Sequence, residues 1–141
     1  MNGSTALHLT MFGLNPVVKF GNDELKSTYL PRAATGNLHV AFGVTEPDAG
    51  TDTSRISTRA VDDGMGGFVV SGRKIWTSKA LESEVVLLLA RTDDVPEGAT
   101  GSARFGGLSL FLAELDPNYV DIRPIPKLGR NAVASCEVAY D

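Results

Sequence analysis

GFVVSGRKIWTS at residues 67–78 and EVVLLLART at residues 84–92 decide the fold class. Both are rich in β-branched and aromatic residues and are bounded by turn formers, the pattern of strands. VVLLLA is apolar throughout, as an inner strand buried on both faces would be. Working outward, LHVAFGV (38–44), RISTRAVD (55–62), GLSLFLAEL (107–115), VDIRPI (120–125) and SCEVAY (135–140) read the same way. Gly, Asp, Pro and Asn punctuate the gaps between them. RISTRAVD alternates Ile56, Thr58 and Ala60 against Arg55, Ser57 and Arg59, which predicts one wet face. Seven such strands with no helix between them predict a mainly β fold, an antiparallel barrel or sandwich. The polar, turn-rich DDVPEGATGSARFG (93–106) reads as a mobile loop.

Residues 1–36 read differently. Ala6, Leu7, Leu9, Met11 and Leu14 form an apolar helical stretch that a Gly-Leu-Asn-Pro stop is expected to close. Asn22 is placed to cap a second helix, with Asp23 and Glu24 in its first turn, Pro31 kinking or ending it, and Gly36 as terminator. Two short helices cannot bury a core, so 1–36 is expected to be the tail of a helical domain and 37–141 a separate β unit.

Composition narrows the function. The 141 residues are 43% hydrophobic and 21% charged, an ordinary globular balance rather than a disordered one. A net charge of −4 argues against a nucleic-acid or polybasic membrane surface. The single cysteine, Cys136, allows no internal disulfide and fits a reducing compartment, the cytoplasm or a mitochondrial matrix. With only His8 and His39 beside it, no metal cluster can be assembled. No stretch approaches the length of a membrane span.

Chemistry concentrates in two segments. In Phe42-Gly43-Val44-Thr45-Glu46-Pro47-Asp48-Ala49-Gly50-Thr51-Asp52 a strand runs into a turn. Gly50 permits a conformation that lets consecutive N–H groups converge on an anion, and Thr45 and Thr51 add hydroxyls. An ordinary Asx-type turn explains the same residues. In Gly72-Arg73-Lys74-Ile75-Trp76-Thr77-Ser78 an aromatic plane stands beside two hydroxyls, which suits a flat heteroaromatic ligand. Trp76 as a core filler is the alternative.

Together and in this order the two segments, V-T-E-P-x-A-G-T-D and then G-x-K-x-W-x-S, resemble the acyl-CoA dehydrogenase family. GNDELKSTYLPRAATG resembles the helix before that family's middle domain; GGLSLFLAEL and KLG…SCEVAYD resemble two of that domain's strands. The resemblance implies a middle β-barrel between two helical domains, holding FAD. It places Phe42, Gly43, Val44 and Thr45 along the isoalloxazine, with Thr45 bonding its pyrimidine side. Gly50 and Thr51 lie in the adjoining turn, Thr51 near both flavin and acyl-CoA. Trp76 lies against the ring, with Thr77 and Ser78 presenting donors toward N5.

Asp48 departs from the glycine common in the family, and Asn131-Ala132 from an arginine or other polar residue. The family's glutamate base comes from a C-terminal helical region not found up to Asp141, so no catalytic residue is assigned and the chain alone is expected to be inactive. Glu46 points away from Thr45 and is expected to be structural, through a salt bridge or a turn hydrogen bond. Arg73 and Lys74 are expected to be solvated, and Cys136 a small core residue. The resemblance implies oxidation of an acyl-CoA at Cα–Cβ, an electron-transfer flavoprotein or similar acceptor, and a homo-oligomeric full-length protein. An acyl-CoA oxidase or another flavoenzyme on this scaffold is the runner-up. A barrel acting only as a binding module is the reading from a different class.

Overall fold

A computed structural model describes residues 2–141; Met1 and the side chains of Asn2 and Ala6 lie outside the described residues. Helix α1 runs Asn2–Phe20 and helix α2 Asp23–Ala34. The expected stop at Gly13–Pro16 does not occur, and α1 passes through both. A proline inside a helix forfeits the hydrogen bond to the carbonyl four residues back. Tertiary packing offsets that loss, because Leu14 and Val17 are buried against Leu38, Val40 and Val85. Gly13 lets α1 approach the sheet, since a Cβ there would meet Val40 Cγ1 at 2.8 Å.

Helix α2 starts as its sequence indicates. Asn22 Oδ1 accepts the Leu25 N–H at 2.8 Å, an N-cap. It continues through Pro31 and ends in a Schellman motif, Gly36 taking φ +77° while Asn37 N–H reaches Arg32 O at 2.8 Å. Its residues are half-buried at best, and the Arg32–Glu84 ion pair at 2.6 Å ties it to the sheet.

All seven expected strands form: β1 Val40–Gly43, β2 Arg59–Asp62, β3 Phe68–Ser78, β4 Val85–Arg91, β5 Leu108–Glu114, β6 Val120–Pro124 and β7 Ser135–Tyr140. The sheet is mixed rather than purely antiparallel. β1 and β2 both run parallel to β4, and both pair antiparallel with β3. They occupy successive stretches of one slot between β3 and β4, interrupted by the loop 44–58. β3 turns back beside that slot, and the short connection 79–84 reverses the chain again, so β4 comes out parallel to β1 and β2. β5 flanks β4 on its other side, while β7 and β6 extend the sheet beyond β3.

The sheet curls around one core. Ala41, Ala60, Val86, Leu88, Ala90, Cys136, Val138 and Tyr140 are buried together, with Phe111 and Val70 packed against them. Phe68 of β3 meets Phe111 of β5 edge-on at 4.9 Å between centroids. Cys136 is the small core residue expected, and burial pushes its thiol pKa up. The predicted alternation of 55–60 is realised in burial, although Thr53–Arg55 is a 3₁₀ turn and regular pairing begins only at Arg59. The loop 93–106 is exposed for most of its length, and its Arg104 pairs with Asp52 at 2.8 Å.

Candidate functional site

The slot shared by β1 and β2 opens where β1 ends. Glu46 and Ala49 exchange backbone hydrogen bonds of 2.9 and 3.2 Å, leaving Pro47 and Asp48 at an exposed turn tip. Beyond it Gly50 and Thr51 are exposed, and Asp52 Oδ1 accepts from Ser54 N–H and Oγ, an Asx-type turn. The conformational role expected of Gly50 is not found. It is absent from the positive-φ glycines, and a Cβ there would meet nothing within 4 Å. Among the described residues, no hydrogen bond joins Gly50 or Thr51 to Trp76–Ser78.

Glu46 turns inward, away from Thr45, and is 4% exposed. Its carboxylate accepts from Ser57 N–H at 2.8 Å, Ser57 Oγ at 2.7 Å, Thr58 N–H at 2.9 Å and Lys74 Nζ at 2.8 Å. Burial alone pushes the carboxyl pKa up, but the hydrogen bonds from Lys74, Thr58 and Ser57 outweigh it and hold it at about 2. A carboxylate so fully engaged has no lone pair free for a substrate proton.

Lys74 corrects the expectation of a solvated strand residue, for it is 0% exposed. Its stem passes beside Gly43, where an added Cβ would lie 3.6 Å from Lys74 Cγ and 3.1 Å from Val86 Cγ2. Gly43 therefore serves close packing inside the sheet. Burial lowers the Lys74 pKa, with Glu46 acting in the opposite direction. Arg73, one residue away, is exposed as expected and pairs with Glu137 at 3.2 Å.

Immediately after Lys74 the β3–β7 ladder slips. Lys74 pairs with Val138 and Thr77 with Cys136, so Ile75 and Trp76 stand opposite Glu137 alone. This is a β-bulge, and Trp76 adopts φ +62° within it. A left-handed conformation costs a non-glycine residue roughly 1–2 kcal/mol. The Trp76 side chain is 55% exposed, so it does not fill the core. Thr77 points inward, 1% exposed, and its Oγ1 has no hydrogen-bond partner. The side-chain donor expected of Thr77 is thus turned from the open face, and Ser78 is the hydroxyl beside it.

β1 and the bulge meet directly. Phe42 and Ser78 are Cα partners, and Ile75 N–H donates to Thr45 O at 2.8 Å. Phe42 is half-buried and meets Phe12 of α1 edge-on at 5.0 Å, while Phe12 stacks on His8 at 5.7 Å. Ser78 opens into a cleft of about 360 Å³ lined also by Ser4, Thr5, His8, Leu9 and Arg130. The structure thus brings Phe42–Thr45 together with Trp76–Ser78 and leaves Gly50 and Thr51 on the neighbouring turn. An exposed indole held in a strained bulge, beside hydroxyls and a second aromatic, suits a flat heteroaromatic ring. Among the described residues no cluster of three or more His, Cys, Asp or Glu could hold a metal, and no helix is long and apolar enough to cross a membrane.

The family model for the acyl-CoA dehydrogenase middle domain matches residues 41–141. The chain belongs to the acyl-CoA dehydrogenase family. Among the curated members, acyl-CoA dehydrogenase FadE26 of Mycobacterium tuberculosis is 39% identical over 111 residues, which is 78% of this chain and 27% of FadE26. A glutaryl-coenzyme A dehydrogenase solved as its glutaryl-CoA complex superposes with a TM-score of 0.86 at 29% identity, over 99% of this chain and 34% of that one. The FAD complex of PigA gives a TM-score of 0.81 at 31% identity, over 98% of this chain and 34% of that one. The chain therefore spans about a third or less of the length of these three proteins.

The burial of two cationic residues in this family member escaped the sequence reading. Lys74 shares a period-two face with Val70 and Gly72, a signal that was present but outweighed by its charge. Arg91 ends the apolar run of β4, is 5% exposed, and donates to Ile56 O at 3.0 Å, Gly106 O at 2.8 Å and Ser54 O at 3.0 Å. It fastens the far end of the loop that begins at Val44. Only its place after an unbroken apolar strand hinted at burial.

Proposed function

We propose that this chain is the flavin-cradling part of an acyl-CoA dehydrogenase that oxidises the Cα–Cβ bond of an acyl-CoA thioester. The observation that carries the reading is Trp76, an exposed aromatic kept in a costly backbone conformation beside Phe42, Thr45 and Ser78. Strain of this kind persists where function uses it. FAD, if held here, would supply the hydride acceptor for oxidation of the substrate. Trp76 offers the ring a stacking face, and Phe42 and Val44 an apolar edge. Thr45 would hold the pyrimidine side of the ring, and Thr77 and Ser78 lie where the resemblance puts donors toward N5, Ser78 being the hydroxyl not turned into the core. Gly43 lets the strand pack close beneath, while Gly50 and Thr51 border the ring and the acyl-CoA from the neighbouring turn.

The reading extends to the whole protein. Residues 1–36 are the tail of a helical domain and 37–141 the middle domain. The working form is a homo-oligomer in the cytoplasm or a mitochondrial matrix, passing electrons to an electron-transfer flavoprotein or similar acceptor. The four hydrogen bonds on the Glu46 carboxylate support a structural role for it rather than that of the proton-abstracting base. The test is anaerobic. In the FAD-loaded full-length protein an acyl-CoA should bleach the flavin absorbance, and FAD should quench the fluorescence of Trp76, this chain's only tryptophan. The 141-residue chain alone should not bleach added FAD. Bleaching by it would return Glu46 to candidacy, and saturable FAD binding without quenching would remove Trp76 from the ring.

A further inference from the structure

The buried pair Lys74–Glu46 joins the end of β1 to β3 two residues before Trp76. Burying two charges is costly, and an ion pair sealed from water is weak evidence for stability, since well-packed apolar residues often do as well. Its geometry reveals another use. Lys74 Nζ donates to Val44 O at 3.1 Å and to Glu46 Oε1 at 2.8 Å. The next residue, Ile75, donates its N–H to Thr45 O at 2.8 Å. Residues 44 and 46 are thus fixed to Lys74 and residue 45 to Ile75, two consecutive residues of β3, and the residue after those two is Trp76. From the other side Glu46 takes Ser57 N–H, Ser57 Oγ and Thr58 N–H, holding the return of the loop toward β2. The pair ties the exit of β1, the entry of β2 and the start of the bulge to one point. An apolar substitute of equal volume would fill the space but leave Val44 O and two backbone N–H groups without partners.

We infer that Lys74 and Glu46 are positioning residues for the flavin face, setting the register between Val44–Thr45 and the bulge so that the Trp76 ring is held in its left-handed, outward pose. The inference rests on the flavin reading above. It is also visible without flavin, because the strained conformation of Trp76 persists only while its surroundings over-determine it.

The test compares Glu46→Gln, which removes the charge that Lys74 meets and, with one amide oxygen in place of two carboxylate oxygens, keeps an acceptor for Ser57 or for Thr58 but not for both, with the double variant Lys74→Met/Glu46→Gln. Three quantities are read in the full-length protein: the Trp76 emission and acrylamide quenching without FAD, taken as the difference from a Trp76→Phe control, the FAD dissociation constant, and the urea midpoint from far-UV circular dichroism. Both variants should change the Trp76 emission and quenching. They should weaken FAD binding about tenfold or more, the size expected for losing one charge-assisted hydrogen bond. Far-UV spectra should stay native, and Lys74→Arg, which restores a donor, should recover part of the affinity. A lowered urea midpoint with unchanged Trp76 signal and unchanged FAD affinity would overturn the inference and leave the pair merely structural. If the double variant fails to fold, Glu46→Gln decides by the same two signals. If the unmutated protein shows no saturable FAD binding, the flavin reading fails. The Trp76 signal of the variants without FAD then still judges the positioning.

Discussion

Replacing Trp76 by alanine and by glycine separates its backbone from its ring. The ring is a little under half buried, so about 100 Å² leaves water on folding, worth about 2 kcal/mol with the reference-state discount. Trp76→Ala should therefore cost about 2 kcal/mol, short of the ~3–5 kcal/mol of a core aromatic. Alanine keeps the penalty of φ +62°, which glycine escapes. In an ordinary strand glycine is less stable than alanine by roughly 0.5–1 kcal/mol. Here the relief of roughly 1–2 kcal/mol reverses that order. Trp76→Gly should be the more stable variant by about 0.5–1 kcal/mol, a rise of a few degrees in Tm. Urea titration followed by far-UV circular dichroism measures both, and FAD titration of the same proteins should show weakened binding in each. Alanine matching or exceeding glycine would refute the left-handed bulge. A loss of core-aromatic size in Trp76→Ala would refute the exposed pose.

Acid should act through Glu46. Its pKa falls from 4.5 to about 2 on folding, so its stabilisation is complete above pH 4.5 and is lost as pH drops toward 2. About 2 kcal/mol should be gone by pH 3, and Glu46→Gln should show a shallower fall in urea midpoint between pH 6 and pH 3. Gly72→Ala should destabilise by more than about 2 kcal/mol, because its φ is +143° and a Cβ would sit 2.8 Å from Thr58 Cα. Gly36→Ala, at φ +77° with open space around it, should cost only about 1 kcal/mol by the same equilibrium measurement.

Strands and caps were legible along the chain because their signals are local. Every strand expected from a run bounded by turn residues is present, the continuous VVLLLA is the inner strand β4, and Asn22 caps the helix it precedes. The two segments singled out along the chain, 42–52 and 72–78, do meet where β1 ends beside the bulge, Phe42 opposite Ser78. The helix stop at Pro16 failed because burial of Leu14 and Val17 against Val40 and Val85 outweighed a local penalty.

Strand direction lay beyond local reading. Nothing within 38–62 says that its two halves share one slot beside β4, because pairing partners are chosen across more than 20 residues of chain. The fate of Lys74 is the same lesson at the scale of one side chain. Its charge promised water, and only the approach of Glu46 and Val44 O from another segment made burial tolerable. The pose of Trp76 was settled last of all. The sequence placed an indole beside Thr77 and Ser78, but whether it faced core or solvent depended on one residue of slippage between β3 and β7. In a sheet such a slip turns a side chain to the opposite face, so the register, a property of two strands together, left Trp76 exposed instead of in the core.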